Sequence, residues 1–513
     1  MSNSFAAGYR LCFVALIALT RSAAFAQSAE PLVYNVKISL QGEPLAQIEA
    51  KLPVGSEPTL DLMMPVWSPG YYKVEDYAAQ VHELSARGPD GANLAVEKTQ
   101  NNRWRIQTGG ASSIDLAYRL NCTSRAVTGN SIGEDFAVLN PGAMFIVPLD
   151  RDHRVFEVRL DLPPKWQTSI CALDAAPDRQ PNHYQTDDYE TLVDSPILAG
   201  NVNVHEFDVA GKKHYVAEVA APGNWDSQRA AQNLQQIVQA NEKFWGLLPY
   251  QRYVFLNVFR PGAGGLEHKN STLLTSSAKD GPSGARWLSF VSHEYFHAFN
   301  VKRLRPVELG PFDYEHPPNT PSLWVSEGLT VYYEDVLLCR AGLISPADYL
   351  NSISKLIGQL QNSPGRFAQT LEQSSMSVWS GGTSGIGRDN KTTVSYYVKG
   401  PVVGFLLDAH IRRLTAQKKS LDDVMRLAYQ RYGGAHGFRP DEFRGVADEV
   451  TGEDLQQWFH QALTTTDELD YSEALEWYGL KFAPAANSQD AWKLEPRADA
   501  SQDQVAHLHA LTD

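Results

Sequence analysis

The chain is short of cysteine, of positive charge and of long apolar runs, and each shortage closes off a class of protein. Four cysteines in 513 residues are too few and too scattered for a disulfide scaffold or a cysteine-held metal cluster. Cys12 lies in the N-terminal leader with no lipobox before it, which leaves Cys122, Cys171 and Cys339. Cys122 and Cys171 fall in strand-rich sequence and could pair in an oxidising compartment. Cys339, after Val336-Leu337-Leu338, reads as a small buried hydrophobe. Lysine and arginine number 45 against 59 acids, for a net charge of −14. Such a chain lacks the basic field that nucleic acids and anionic membranes require. No run approaches the ~20 apolar residues of a membrane span, so no stable membrane insertion is expected. Repeats and low-complexity tracts are missing too. What remains, 43% apolar and 20% charged, is an ordinary globular balance spread over two or three domains.

Residues 1–26 have the form of an export signal. Arg10 supplies the positive region, Leu11 to Leu19 the short apolar run, and Ala24-Phe25-Ala26 a small-x-small cleavage site. Cleavage near Ala26 predicts a periplasmic or secreted protein. It removes Arg10, Arg21 and no acid, taking the charge from −14 to −16.

From residue 27 to 222 the pattern is that of strands. Tyr34, Val36, Ile38 and Leu40 alternate with polar residues, and Phe156 to Leu162 does the same. Turn signals such as Trp67-Ser68-Pro69-Gly70 and Pro89-Asp90-Gly91 separate the runs. An N-terminal antiparallel β-sandwich or saddle domain is expected here. Residues 223–483 turn mainly helical, beginning with an amphipathic helix over Asp226 to Trp245 and a buried strand over Tyr253 to Phe259. Ser345-Pro346 and Ser420 with Asp423 mark helix starts. Gly310 to Pro321 and Ser380 to Lys391 read as loops. Residues 484–513 form a polar, weakly patterned tail, expected as a small appendage or a partly disordered segment. The fold class is thus α+β and multidomain; nothing fixes an oligomeric state.

The most informative stretch is His293-Glu294-Tyr295-Phe296-His297. Residues i and i+4 share a helix face, so both imidazoles can reach one tetrahedral zinc. Glu294 stands beside that metal and can take a proton from the attacking water. Leu288, Val291, Phe296 and Phe299 would bury the helix. A catalytic zinc needs a third protein ligand, and Glu327, 30 positions after His297 in Trp324-Val325-Ser326-Glu327-Gly328, is the candidate. Glu334, two turns on, could hold a ligand histidine by its other ring nitrogen.

At these residues the chain resembles the gluzincin metallopeptidases and, within them, the glycyl aminopeptidase family, related to the aminopeptidase N group. The likeness is tightest over His293 to Pro306 and continues in Gly264-Gly265-Leu266-Glu267-His268 and Pro65-Val66-Trp67-Ser68-Pro69-Gly70-Tyr71. It implies a thermolysin-like zinc catalytic domain carrying one zinc ion on His293, His297 and Glu327. It also implies that Glu267 binds the free α-amine of a peptide while Gly264 and Gly265 run alongside it. His268 stands where the broader group has asparagine. In Val394-Ser395-Tyr396-Tyr397-Val398-Lys399-Gly400, Tyr397 matches the tyrosine that stabilises the oxyanion, and Tyr396 is the competing register. The implied activity is removal of an N-terminal residue, with a preference for glycine or alanine. The other readings are a zinc endopeptidase or dipeptidase on the same site, or a non-catalytic peptide-binding protein. Lys302, Arg303 and Arg305 read first as salt-bridge or helix-end residues, and second as a site for a peptide carboxylate. Members of the family often carry a C-terminal PDZ domain; the roughly thirty residues after Phe482 are too few for one.

Overall fold

The computed structural model describes residues 30–513 apart from 56, 152–153, 263, 381–389 and 485–490. The leader and most of the glycine-rich stretch from Ser380 to Lys391 lie outside the described residues. The alternating segments become strands with one buried face. In β1 (Leu32–Ile38), Leu32, Tyr34, Val36 and Ile38 are buried while Asn35 and Lys37 face outward. β2 (Leu45–Pro53) and β3 (Ser113–Asn121) repeat the pattern with Ile48 and Leu52, and with Ile114, Leu116 and Leu120. They pair antiparallel within an eight-stranded sheet. Antiparallel pairing is not universal, as the alternation alone had implied. β4 (Phe156–Asp161) joins β1 in parallel, Leu32 opposite Phe156, because a long crossover returns the chain to the free edge of β1. Two four-stranded sheets complete the N-terminal β region.

A five-stranded sheet then joins the β region to the helices. Its order is β5 (Asn203–Val209), β6 (Lys212–Val219), β7 (Arg252–Phe259), β9 (Ser271–Ser276) and, at the edge, β8 (Gly264–Glu267). The central three strands are parallel and the two edges antiparallel. Val254, Leu256 and Val258 pack toward Val138 and Leu198, while Tyr253, Phe255 and Phe259 face the helices. Burial on both faces explains why Tyr253 to Phe259 reads as a continuous apolar run. The sheet also spans the compositional change at Pro222, since β6 precedes it and β7 follows.

The rest is mainly helical. α1 (Ser227–Trp245) starts where the Asp226 carboxylate accepts from the Arg229 amide at 2.9 Å, and ends at Gly246 with φ +75°. α2 (Ala285–Phe296) carries His293, with Leu288, Val291 and Phe296 buried. α3 (Leu329–Arg340) and α4 (Tyr396–Leu414) pack against it or each other around the same core. From Ala491 on, the tail forms regular elements despite its polarity. Leu494–Pro496 pairs with Leu480–Phe482, and the helix Gln502–Thr512 buries Leu511. Cys122, Cys171 and Cys339 are buried free thiols. No helix among the described residues is long and apolar enough to cross a membrane.

The basic cluster after α2 is consumed by the fold. Arg303 donates to the carbonyls of Ala298, Lys269 and Pro249, and Arg305 to that of Gly310. Lys302 Nζ lies 2.9 Å from Asp194 of the β region, which also bonds His268 Nδ1 at 3.1 Å and the Lys269 amide at 2.6 Å. Burial alone would raise the Asp194 carboxyl, but the charges of Lys302 and His268 win and hold it well below the usual carboxylate range. Asp194→Asn strands a buried ammonium, an expected loss of about 3–5 kcal/mol. Because the folded carboxyl titrates below its unfolded value of ~3.9, this stability is fully present above that pH and shrinks as pH falls through it. Urea midpoints of both proteins from pH 7 to pH 2.5 check this; a margin that stays constant refutes it.

Candidate active site

Helix spacing and a second helix bring three donors together. His293 Nε2 and His297 Nε2 stand 3.0 Å apart, and Glu327 Oε2 lies 3.7 and 3.3 Å from them. All three ligand atoms fall within 4.8 Å of one another. His297 Nδ1 donates to the Asn300 carbonyl at 2.8 Å, and His293 Nδ1 meets Glu334 Oε2 at 2.8 Å. With those Nδ1 protons committed, each Nε2 presents a lone pair. Two lone pairs and a carboxylate converging on one point repel unless a cation lies between them. Two imidazoles, one carboxylate and no thiolate suit zinc with an open fourth position.

Neighbouring contacts hold this arrangement. Glu327 sits in a π-helical turn (Trp324–Gly328) leading into α3, an irregularity common where a helix serves function. Asn300 Nδ2 donates to the Val325 carbonyl at 2.8 Å and reaches Thr330 Oγ1 at 3.0 Å, tying the end of α2 to that turn. Ser292 Oγ donates to the Glu334 carbonyl, and Ser289 Oγ to Asp335, so α2 and α3 are locked in register.

Glu294 is 7% exposed and faces the edge strand. A β-carbon at Gly265 would collide with its Oε1, so only glycine lets β8 pass this close. Burial, reinforced by the charge of Glu267 and opposed by His293, pushes Glu294 up to about 7. Glu267, at the end of β8, is 4% exposed and its Oε1 has no hydrogen-bond partner. Gly70, with φ +90°, lies directly against that carboxylate.

Tyr396 and Tyr397 open α4. Tyr396 is fully buried, its hydroxyl without a partner. Tyr397 is partly exposed, and its ring centroid lies 6.3 Å from that of His293. Both are brought here by one contact: a β-carbon on Gly328 would fall 2.7 Å from the Cα of Gly400. The π-helical turn and α4 thus meet backbone to backbone, one residue from Glu327 and three from Tyr397.

Two contributors escape a reading of the sequence. Tyr72 of the β region donates to Glu327 Oε1 at 3.2 Å. The only signal for it is its place directly after the Pro65 to Tyr71 motif. Asn300 lies inside the His293 to Pro306 match, but its backbone and amide roles are invisible there. The β region is anchored nearby by Trp67, whose Nε1 donates to the Asp313 carbonyl at 2.8 Å, and by Arg103, which pairs with Glu315.

Known proteins resemble the chain in sequence and in fold. Residues 33–201 match the Peptidase M61 N-terminal domain and residues 286–403 the M61 glycyl aminopeptidase. An aminopeptidase N family protein from Idiomarina loihiensis is similar in structure, with TM-score 0.82 and 25% identity over 88% of this chain and 78% of that one. The M1 zinc metallopeptidase from Deinococcus radiodurans shares the fold at TM-score 0.52 and 12% identity, over 86% of this chain and 95% of its own. No curated protein sequence matches significantly. The β region, the helical half and the His-His-Glu group together define a zinc metallo-aminopeptidase. Within that class the chain belongs to the M61 glycyl aminopeptidase family.

Gly328→Ala forces the π-helical turn off α4. Overpacking of this kind costs about 1–3 kcal/mol and pulls Glu327 away from the imidazoles. A lower thermal midpoint and reduced zinc content are expected; a variant that keeps both shows the contact to be dispensable.

Proposed function

We propose that the protein is an exported aminopeptidase that hydrolyses the first peptide bond of its substrates, favours small N-terminal residues such as glycine and alanine, and uses one zinc ion. The observation that carries this reading is the buried Glu267 carboxylate with an unpartnered oxygen, next to the three donors. A buried anion of this kind calls for a cation, and the α-ammonium of a peptide supplies one. Held there, the substrate has only its first carbonyl within reach of His293, His297 and Glu327.

Zinc held by these three residues supplies a Lewis acid for the scissile carbonyl and acidifies the attacking water. Glu294 takes the proton as the water oxygen bonds to the carbonyl carbon, then passes it to the amine as the C–N bond breaks. Burial pushes its carboxyl up to about 7, opposed by His293, which leaves a base poised near neutrality. Tyr397 donates its hydroxyl to the carbonyl oxygen as negative charge develops. Glu334 and the Asn300 carbonyl keep the two imidazoles oriented, and Tyr72 steadies the far oxygen of Glu327. The Gly70 turn against Glu267, with Tyr72 and Tyr397 nearby, favours a short side chain on the released residue. The family name points the same way.

The test is hydrolysis of free and N-acetylated alanyl and glycyl peptides, with and without a chelator. Cleavage only of free peptides, lost on chelation and restored by zinc, is expected. Glu267→Ala should lose most activity through KM, and Glu294→Gln about 10²–10⁴-fold through kcat. Equal cleavage of acetylated peptides ends the aminopeptidase reading. Export rests on the pattern of residues 1–26; mass spectrometry should find the mature N-terminus at Gln27, and an intact Met1 in the exported fraction would contradict it.

A further inference from the structure

Past β8, on the side away from Glu267, a cavity of about 820 Å³ opens along α2. Its walls come from the ends of β7 and β9, the turn after β9, and the first two turns of α2. In a chain of net charge −14 this cavity is basic: Arg260, Lys279 and Arg286 line it, with Asp280 its one acid. Among the described residues none of the three forms an ion pair. Arg260 is held by neutral oxygens, the Arg125 carbonyl at 2.9 Å and Ser131 Oγ at 3.4 Å, and its Nε is buried without a partner. Trp287, 4% exposed, also lines the cavity, its Nε1 buried without a partner.

The position of this cavity on the substrate path follows from two glycine contacts. Gly70 marks the Glu267 end of β8, and Gly265 passes Glu294. A peptide whose amine sits on Glu267 and whose first carbonyl sits by Glu294 therefore continues past Gly264 toward Gly262, at the cavity mouth. Phe290 lies one turn before Glu294 on α2, and Arg286 is seven residues before His293. At ~1.5 Å per residue that is about 10 Å along the helix, roughly the span of three residues of extended peptide at ~3.3 Å each.

We propose that this cavity receives the C-terminal carboxylate of short peptides, with Arg260 and Arg286 as donors and Lys279 adding charge. The enzyme is then selective for peptides of about four residues with a free C-terminus. This rests on the aminopeptidase reading, because the direction of the chain is set by the amine on Glu267. The experiment compares Ala-Gly-Gly-Gly as the free acid and as the C-terminal amide, with alanine p-nitroanilide as a probe too short to reach the cavity. The free acid should be favoured about tenfold in kcat/KM, mostly through KM, as one charge-assisted hydrogen bond supplies. In the Arg260→Gln, Arg286→Gln double variant that ratio should fall toward one. Anilide cleavage with acid and amide equal in the wild type overturns the carboxylate site alone. So does a ratio that survives the double substitution. No cleavage of the anilide or of either peptide overturns the aminopeptidase reading beneath it.

Discussion

Two imidazole nitrogens 3.0 Å apart, both presenting lone pairs, with a carboxylate oxygen beside them, form an arrangement that electrostatics opposes. Something must hold it, and much of the surrounding structure can be read as doing so. The Nδ1 partners fix the tautomers, the serine bonds between α2 and α3 fix the helix register, and the Asn300 amide fixes the turn bearing Glu327. The donors are preorganised, so a metal ion need not reorder side chains to bind, and little of its affinity is spent on conformational entropy.

Close approach is the second recurring device. At Gly265, Gly70 and the Gly328–Gly400 contact, a missing β-carbon lets backbone lie against a carboxylate or against another backbone. Each brings an element that is distant in sequence to the zinc group: the edge strand, the loop of the β region and the helix of Tyr397. The aromatic cluster of Trp67, Phe312, Tyr314 and Trp379 then holds that β-region loop in place. The site is therefore shared by both halves of the chain, although all three zinc donors come from one.

What could be read in advance follows the range of the interactions. The pairing of His293 with His297 is local, set by helix periodicity, and the strand alternation of Leu32 to Ile38 is equally local. The role of Glu267 was legible through resemblance, and Glu327 because a catalytic zinc asks for a third ligand; no spacing rule brings residues so far apart together, and the structure places both beside the histidines. Tyr72 was not legible because its contact spans 255 positions and a tyrosine after a turn is usually packing. Cys122 and Cys171, compatible with a bond on compartment grounds, are separate thiols buried in one core. The ordered tail shows how a few apolar residues such as Leu494 and Leu511 can dock a segment whose average composition is polar.

The five-stranded sheet carries one more consequence. Its parallel centre pairs β6 with β7 residue by residue from Lys213 opposite Arg252 to Val219 opposite Val258, across the point where the chain turns from strands to helices. A fragment starting at that point would keep every zinc donor and yet begin with a raw sheet edge, along which alternate residues of Arg252–Val258 have unsatisfied amides and carbonyls. Such an edge recruits other strands, so the catalytic half is not a separable unit: its solubility is lent to it by a hairpin that composition alone assigns to its neighbour.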